Sequence, residues 1–88
     1  RSHFYLARLY MRMKEYPKAE SHIDTYLKYD LSSYQEGYAH YFKGHIHFRQ
    51  KQYKKAKAAY DKAWEVHKVK GAKERSAIAT KKMAAKNK

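Results

Sequence analysis

Slid 37 residues along itself, the chain lies over a second copy of itself. Phe4-Tyr5-Leu6-Ala7-Arg8-Leu9-Tyr10-Met11-Arg12 falls on Tyr41-Phe42-Lys43-Gly44-His45-Ile46-His47-Phe48-Arg49. Without a gap, Tyr16-Pro17-Lys18-Ala19 then falls on Tyr53-Lys54-Lys55-Ala56. Further on, Ile23 meets Tyr60, Asp24 meets Asp61, and Tyr26-Leu27 meets Ala63-Trp64. Aromatic meets aromatic and small meets small. One supersecondary unit written twice cannot bury its apolar face alone, so the copies must stack.

Within each copy the apolar period is helical. Leu6, Leu9, Tyr10 and Met13 fall at i, i+3, i+4 and i+7, which predicts a helix from about Ser2 to Lys14. Tyr16-Pro17 interrupts it, because the residue before a proline is pushed out of the helical region, and Pro17 suits the start of a second helix. Ala19, Ile23, Tyr26 and Leu27 carry that helix toward Asp30. Ser33-Tyr34-Gln35-Glu36 reads as a capping box opening a third helix over about Tyr34 to Gln50. Its stripe is nearly all aromatic: Tyr34, Tyr38, Tyr41, Phe42, His45 and Phe48. A fourth helix runs from about Lys54 to His67, burying Ala56, Ala59, Tyr60, Ala63 and Trp64, with Gly71 as its stop. From Ala72 onward, Ala77, Ile78, Ala79, Met83, Ala84 and Ala85 give a weak apolar face to a basic C-terminal helix or flexible tail. Three glycines and one proline in 88 residues suit helices better than many tight turns. The expected fold is all-α, with antiparallel helical hairpins stacked as a short solenoid. Its parts are a first hairpin over 1–31, a second over 32–70, and a basic helix or tail over 71–88.

The doubled hairpin resembles the tetratricopeptide repeat. That motif has a small residue midway along its first helix, here Ala7 and Gly44, where two helices approach closely. A large residue stands at the turn with a small one three on: Tyr16 with Ala19, Tyr53 with Ala56. Ile23 and Tyr60 follow four later, and Ala63 supplies the next small position. The resemblance covers roughly residues 2–68. Tyr26 departs from it in the first copy, and Lys43 and His47 stand at usually apolar positions in the second. Neither copy ends in proline, and the offset of 37 exceeds the family's roughly 34 through a longer linker at Asp30–Ser33. Over the first hairpin alone, Phe4–Tyr10 with Lys14-Glu15-Tyr16 and Thr25-Tyr26-Leu27 also resembles the N-terminal repeats of the large Ran-binding nucleoporins. That likeness implies a cytoplasmic or nuclear location, including the nuclear pore.

Charge is uneven along the chain. The net charge of +13 divides into +2 over residues 1–48, with seven Lys/Arg against five Asp/Glu, and +11 over residues 49–88, with fourteen against three. Such an excess points toward acidic proteins or polyanions as partners. No cysteine is present, so disulfides and thiolate metal sites are excluded. His40, His45 and His47 crowd one helix, but not at the i, i+4 spacing of a zinc helix, and they read as packed or solvated histidines. No cofactor is expected. The carboxylates sit mainly at helix ends, no serine lies in a glycine elbow and no glycine-rich phosphate loop occurs, so nothing nominates an enzyme. No apolar run approaches the roughly 20 residues of a membrane span. A secretory signal is absent from the first residues, and a chain opening on Arg1 is expected to be part of a larger protein or assembly.

The tetratricopeptide resemblance implies a concave groove lined by the first helix of each hairpin. Carried over by position, that groove takes Phe4, Arg8, Met11 and Arg12 from the first copy and Tyr38, Tyr41, His45, Phe48 and Arg49 from the second. Rings interleaved with guanidinium groups suit an extended acidic or aromatic peptide. The family's carboxylate clamp uses lysine and asparagine where Phe4, Arg8 and Phe42 stand, so that specificity is not implied. The alternative is RNA, bound without base readout by the basic second half, through Lys68, Lys70, Lys73, Arg75, Lys81, Lys82, Lys86 and Lys88. The expected function is a non-catalytic scaffold or adaptor module binding a protein partner.

Overall fold

The structure, a computed structural model, describes residues 2–86, with side chains described for residues 5–85. Phe4, Lys86 and Lys88, expected to bind ligands, have side chains outside this range. The described residues form α1 (Ser2–Arg12), α2 (Tyr16–Tyr26), α3 (Ser33–Arg49), α4 (Tyr53–His67) and α5 (Ala72–Lys86), and include no strand. The chain is all-α, as its 3.6-residue periodicity predicts. α1 packs against α2 and α3 against α4 as two hairpins, while α2 also meets α3 and α4 meets α5. The helices stack into a body of 40 × 28 × 17 Å.

The repeat extends to the backbone of the turns. α1 ends at Arg12, earlier than predicted, because Lys14 adopts a left-handed conformation with φ 63°. The Lys14 N–H donates to the Met11 carbonyl at 3.0 Å, and the Glu15 N–H to the Tyr10 carbonyl at 2.8 Å. This double closure satisfies carbonyls that a helix end otherwise leaves without partners. One repeat later, Lys51 has φ 61°, and the N–H groups of Lys51 and Gln52 reach Phe48 and His47 at 3.0 and 2.9 Å. The residues that lead into the next helix match as well: Glu15 at φ −96°, ψ 71° and Gln52 at φ −92°, ψ 69°. Met13, beyond the end of α1, is 57% exposed and leaves the apolar face predicted for it.

Two other ends also shift. Ser32, rather than Ser33, caps α3: its Oγ accepts from the Gln35 N–H at 3.2 Å, and Gln35 Oε1 accepts from the Ser32 N–H at 3.0 Å. Ser32 is still extended at φ −66°, ψ 161°, whereas Ser33 is already helical, so the reciprocal pair forms one residue upstream of its predicted register. α4 stops at Lys68, left-handed at φ 50°, whose N–H bonds to the Trp64 carbonyl at 2.7 Å. Gly71, read as that stop, instead turns the chain into α5 at φ 89°.

The core follows the repeat. Ala7, Ala19, Ile23 and Ile46 bury together where α1, α2 and α3 meet, and Ala56, Tyr60 and Ala79 do so between α4 and α5. Ala63, Val69 and Ala72 close the α4–α5 turn. Each buried Ile or Val contributes on the order of 1.5–3 kcal/mol relative to exposure. Gly44 lets α4 approach α3 so closely that a β-carbon there would stand 2.6 Å from the Tyr60 ring. Gly37 does the same beside His67 and Val69, at 2.7 and 3.1 Å. Tyr34, which heads the predicted aromatic stripe, is 57% exposed.

The polar departures from the repeat pattern become the interface with α2. Lys43 Nζ donates to Asp24 Oδ1 at 2.7 Å. His47 is buried, with Nδ1 2.8 Å from Gln52 Oε1 and Nε2 3.5 Å from Glu20. Asp61, the counterpart of Asp24, accepts from Ser76 Oγ on α5 at 2.5 Å and from Lys57 at 2.8 Å. In each copy the same aspartate of the second helix reaches the helix that follows. α5 therefore stands to the second hairpin as α3 stands to the first. Its buried face is Ala72, Ser76 and Ala79, with Met83 half-buried, whereas Ala77, Ile78, Ala84 and Ala85 of the predicted face point outward.

Candidate interaction groove

Arg8, Met11 and Arg12 stand at i, i+3 and i+4 on α1, so they share one face. Opposite them, α3 presents Phe42, His45 and Arg49 at helical spacing. Between the two lies a cleft of about 310 Å³ lined by Arg8, Met11, Arg12, Lys14, Tyr16, Phe42 and Arg49. A second, of about 540 Å³, adjoins it and shares Met11 and Arg49; His45, Phe48, Lys51, Tyr53 and Arg75 complete its lining. Together they form a groove that crosses both hairpins and ends against α5.

Among the described residues, no aspartate or glutamate lines either cleft. Four of the eight carboxylates contact cations or His47 elsewhere: Glu15 with Lys18 at 3.2 Å, Asp24 with Lys43, Asp61 with Lys57, and Glu20 beside His47. Among the described residues, none lies within ion-pair distance of Arg8, Arg12, Arg49 or Arg75. The groove is thus a concentration of unneutralised positive charge between apolar walls, an arrangement that attracts anions.

His45 lies at the centre of this field. Burial first, then the Arg75 and Arg49 charges, push its pKa down to about 4. Tyr60 moves the other way, to about 12, mainly through burial, with Tyr41 adding and the two arginines opposing. Both groups are therefore neutral at pH 7, and the Tyr60 hydroxyl and His45 Nδ1 share a hydrogen bond of 2.9 Å. The Tyr41 ring meets His45 edge-on at 4.5 Å. Burial likewise lowers the pKa of His40, with Lys43 and Lys62 adding and Glu36 opposing.

The clefts gather Arg8, Met11, Arg12, His45, Phe48 and Arg49 from the positions expected to line a groove. Tyr41 is half-buried and packs into the core beside Tyr60 and Val69. Tyr38 lines a separate hollow of about 240 Å³ with Tyr26, Tyr34 and Gln35. In the basic segment, Lys68 and Lys73 stand over the Trp64 ring at 5.9 and 5.5 Å, and Lys70, Lys81 and Lys82 are exposed. Arg75 joins the groove instead. Lys14, Tyr16, Phe42, Lys51 and Tyr53 line the clefts without having been expected there. Lys14 and Lys51 are one repeat apart, a signal the self-alignment contains. Among the described residues no cluster of three His, Cys, Asp or Glu could hold a metal, and no helix is long and apolar enough to cross a membrane.

Residues 37–66 match the family model of the tetratricopeptide repeat. The matched segment runs from Gly37 on α3 to Val66 on α4, so the second hairpin is similar to a tetratricopeptide repeat. No curated protein and no solved structure matches the chain, so the nucleoporin resemblance of the first hairpin rests on its residues alone.

Proposed function

We propose that the chain is a non-catalytic scaffold or adaptor module whose groove captures an extended acidic segment of a protein partner. The observation that carries this reading is the pair of adjoining clefts, lined by Arg8, Arg12, Lys14, Arg49, Lys51 and Arg75 with no carboxylate among the described residues. Guanidinium groups pair bidentately with carboxylates, and the walls of Met11, Phe42 and Phe48 accept apolar or aromatic side chains between the acids. A protein partner is supported by the match of the second hairpin to the tetratricopeptide repeat, a protein-interaction unit.

The test separates the groove from the basic C-terminal segment. Arg8→Ala combined with Arg49→Ala is expected to weaken capture of a labelled acidic peptide at least tenfold, since each charged hydrogen bond contributes roughly 1.5–3 kcal/mol. Neutralising Lys81, Lys82, Lys86 and Lys88 is expected to leave that affinity within about twofold, apart from a salt-dependent change in on-rate. The reverse pattern would place the contact on the basic segment and favour RNA.

A further inference from the structure

The second cleft concentrates charge more than the first, and any ligand assigned to it rests on the groove reading. Arg49 from α3, Lys51 from the turn and Arg75 from α5 converge on it. Arg49 and Arg75 both lie close enough to His45 for their charges to act on the same ring. Arg75 reaches the cleft from α5, whose next residue, Ser76, is buried and bonded to Asp61 across the α4–α5 contact. Three cations around one hollow exceed what one carboxylate can balance. A phosphate monoester carries about −1.5 to −2 charges at pH 7 and three acceptor oxygens, which suits two guanidinium forks and an ammonium.

We propose that this cleft is a subsite for a phosphorylated serine or threonine of the partner segment, held by Arg49, Lys51 and Arg75. Phe48 and Tyr53, edge to face with centroids 5.1 Å apart, form the apolar wall beside it.

The 88-residue chain is titrated by fluorescence anisotropy at about 0.15 M salt, where contacts across more than a Debye length are screened. The probes are a labelled acidic peptide with one central phosphoserine, its glutamate and serine counterparts, and single-stranded oligouridylate. The phosphopeptide is expected to bind about tenfold tighter than the glutamate peptide, the worth of one further charge-assisted contact. Arg75→Gln should erase that preference, Arg75→Lys should restore part of it, and Arg8→Gln should weaken all three peptides alike. Circular dichroism shows whether each variant retains its helices. Equal affinity for the phosphoserine and glutamate peptides overturns the subsite and leaves the groove reading standing. Failure of every peptide to bind overturns both. Oligouridylate that displaces the phosphopeptide, and loses its own binding in Arg75→Gln, overturns the subsite in favour of nucleic acid.

Discussion

A methyl group at Gly44 would stand 2.6 Å from the ring of Tyr60, nearer than carbon atoms pack. Tyr60 has little room to retreat, since it is fully buried and its hydroxyl is held by His45. Overpacking of this kind costs about 1–3 kcal/mol, while replacing a mid-helix glycine by alanine returns about 1 kcal/mol in helix propensity. Gly44→Ala is therefore expected to lower stability by roughly 1 kcal/mol, read as a lower urea midpoint with an unchanged slope. A raised midpoint would mean that the ring swings aside freely. Gly44 was legible in the sequence because Ala7 stands one repeat before it. Gly37, equally tight, was not, because its counterpart falls before the first residue and self-comparison cannot reach it.

At the level of elements, period and turn chemistry differ in how much they reveal. The existence and order of the helices follow from apolar spacing. Their ends do not, because the left-handed position that closes each hairpin is filled by lysine, a residue that carries no stop signal. Lys14 at φ 63° and Lys51 at φ 61° occupy a conformation that costs an L-residue with a β-carbon about 1 kcal/mol or more. Lys51→Gly is expected to raise the thermal midpoint by a few degrees, equivalent to about 1 kcal/mol, and Lys14→Gly to do likewise. Because both lysines also line the clefts, either change should weaken capture of an acidic peptide while it stabilises the fold. Loss of stability in both variants would show that the turn is not strained. The register of the cap before α3 was legible only to within one residue, since Ser32 and Ser33 are chemically equal and backbone conformation alone decides between them.

For the molecule as a whole, acid is the natural probe of the groove's charge. His45 titrates near 6.5 when unfolded and near 4 when folded, so between those values the unfolded chain binds the extra proton. Stability should therefore be constant above about pH 6.5, fall as pH drops toward 4, and stop falling through this group below that. The loss is on the order of 2 kcal/mol once solvent screening at a half-buried site is allowed for. His40, also lowered, contributes in the same direction. In His45→Gln, which can keep a bond to Tyr60, urea midpoints at pH 7.5 and 5 should lie closer together than in the parent chain; an undiminished gap would assign the effect elsewhere. The stacked architecture was legible from the 37-residue offset, and the α1 and α3 groove positions were given only by the tetratricopeptide resemblance. The contribution of α5 was not, because its inward face is alanine and serine, which carry no hydrophobic stripe, and Arg75 resembles every other cation of a basic segment. Packing in this fold passes mainly from one helix to the next, yet the second cleft draws its walls from α1, α3, α4 and α5 together. A body lodged there acts as a strut: it ties the first helix to the last and makes a row of neighbours yield to heat or force as one unit.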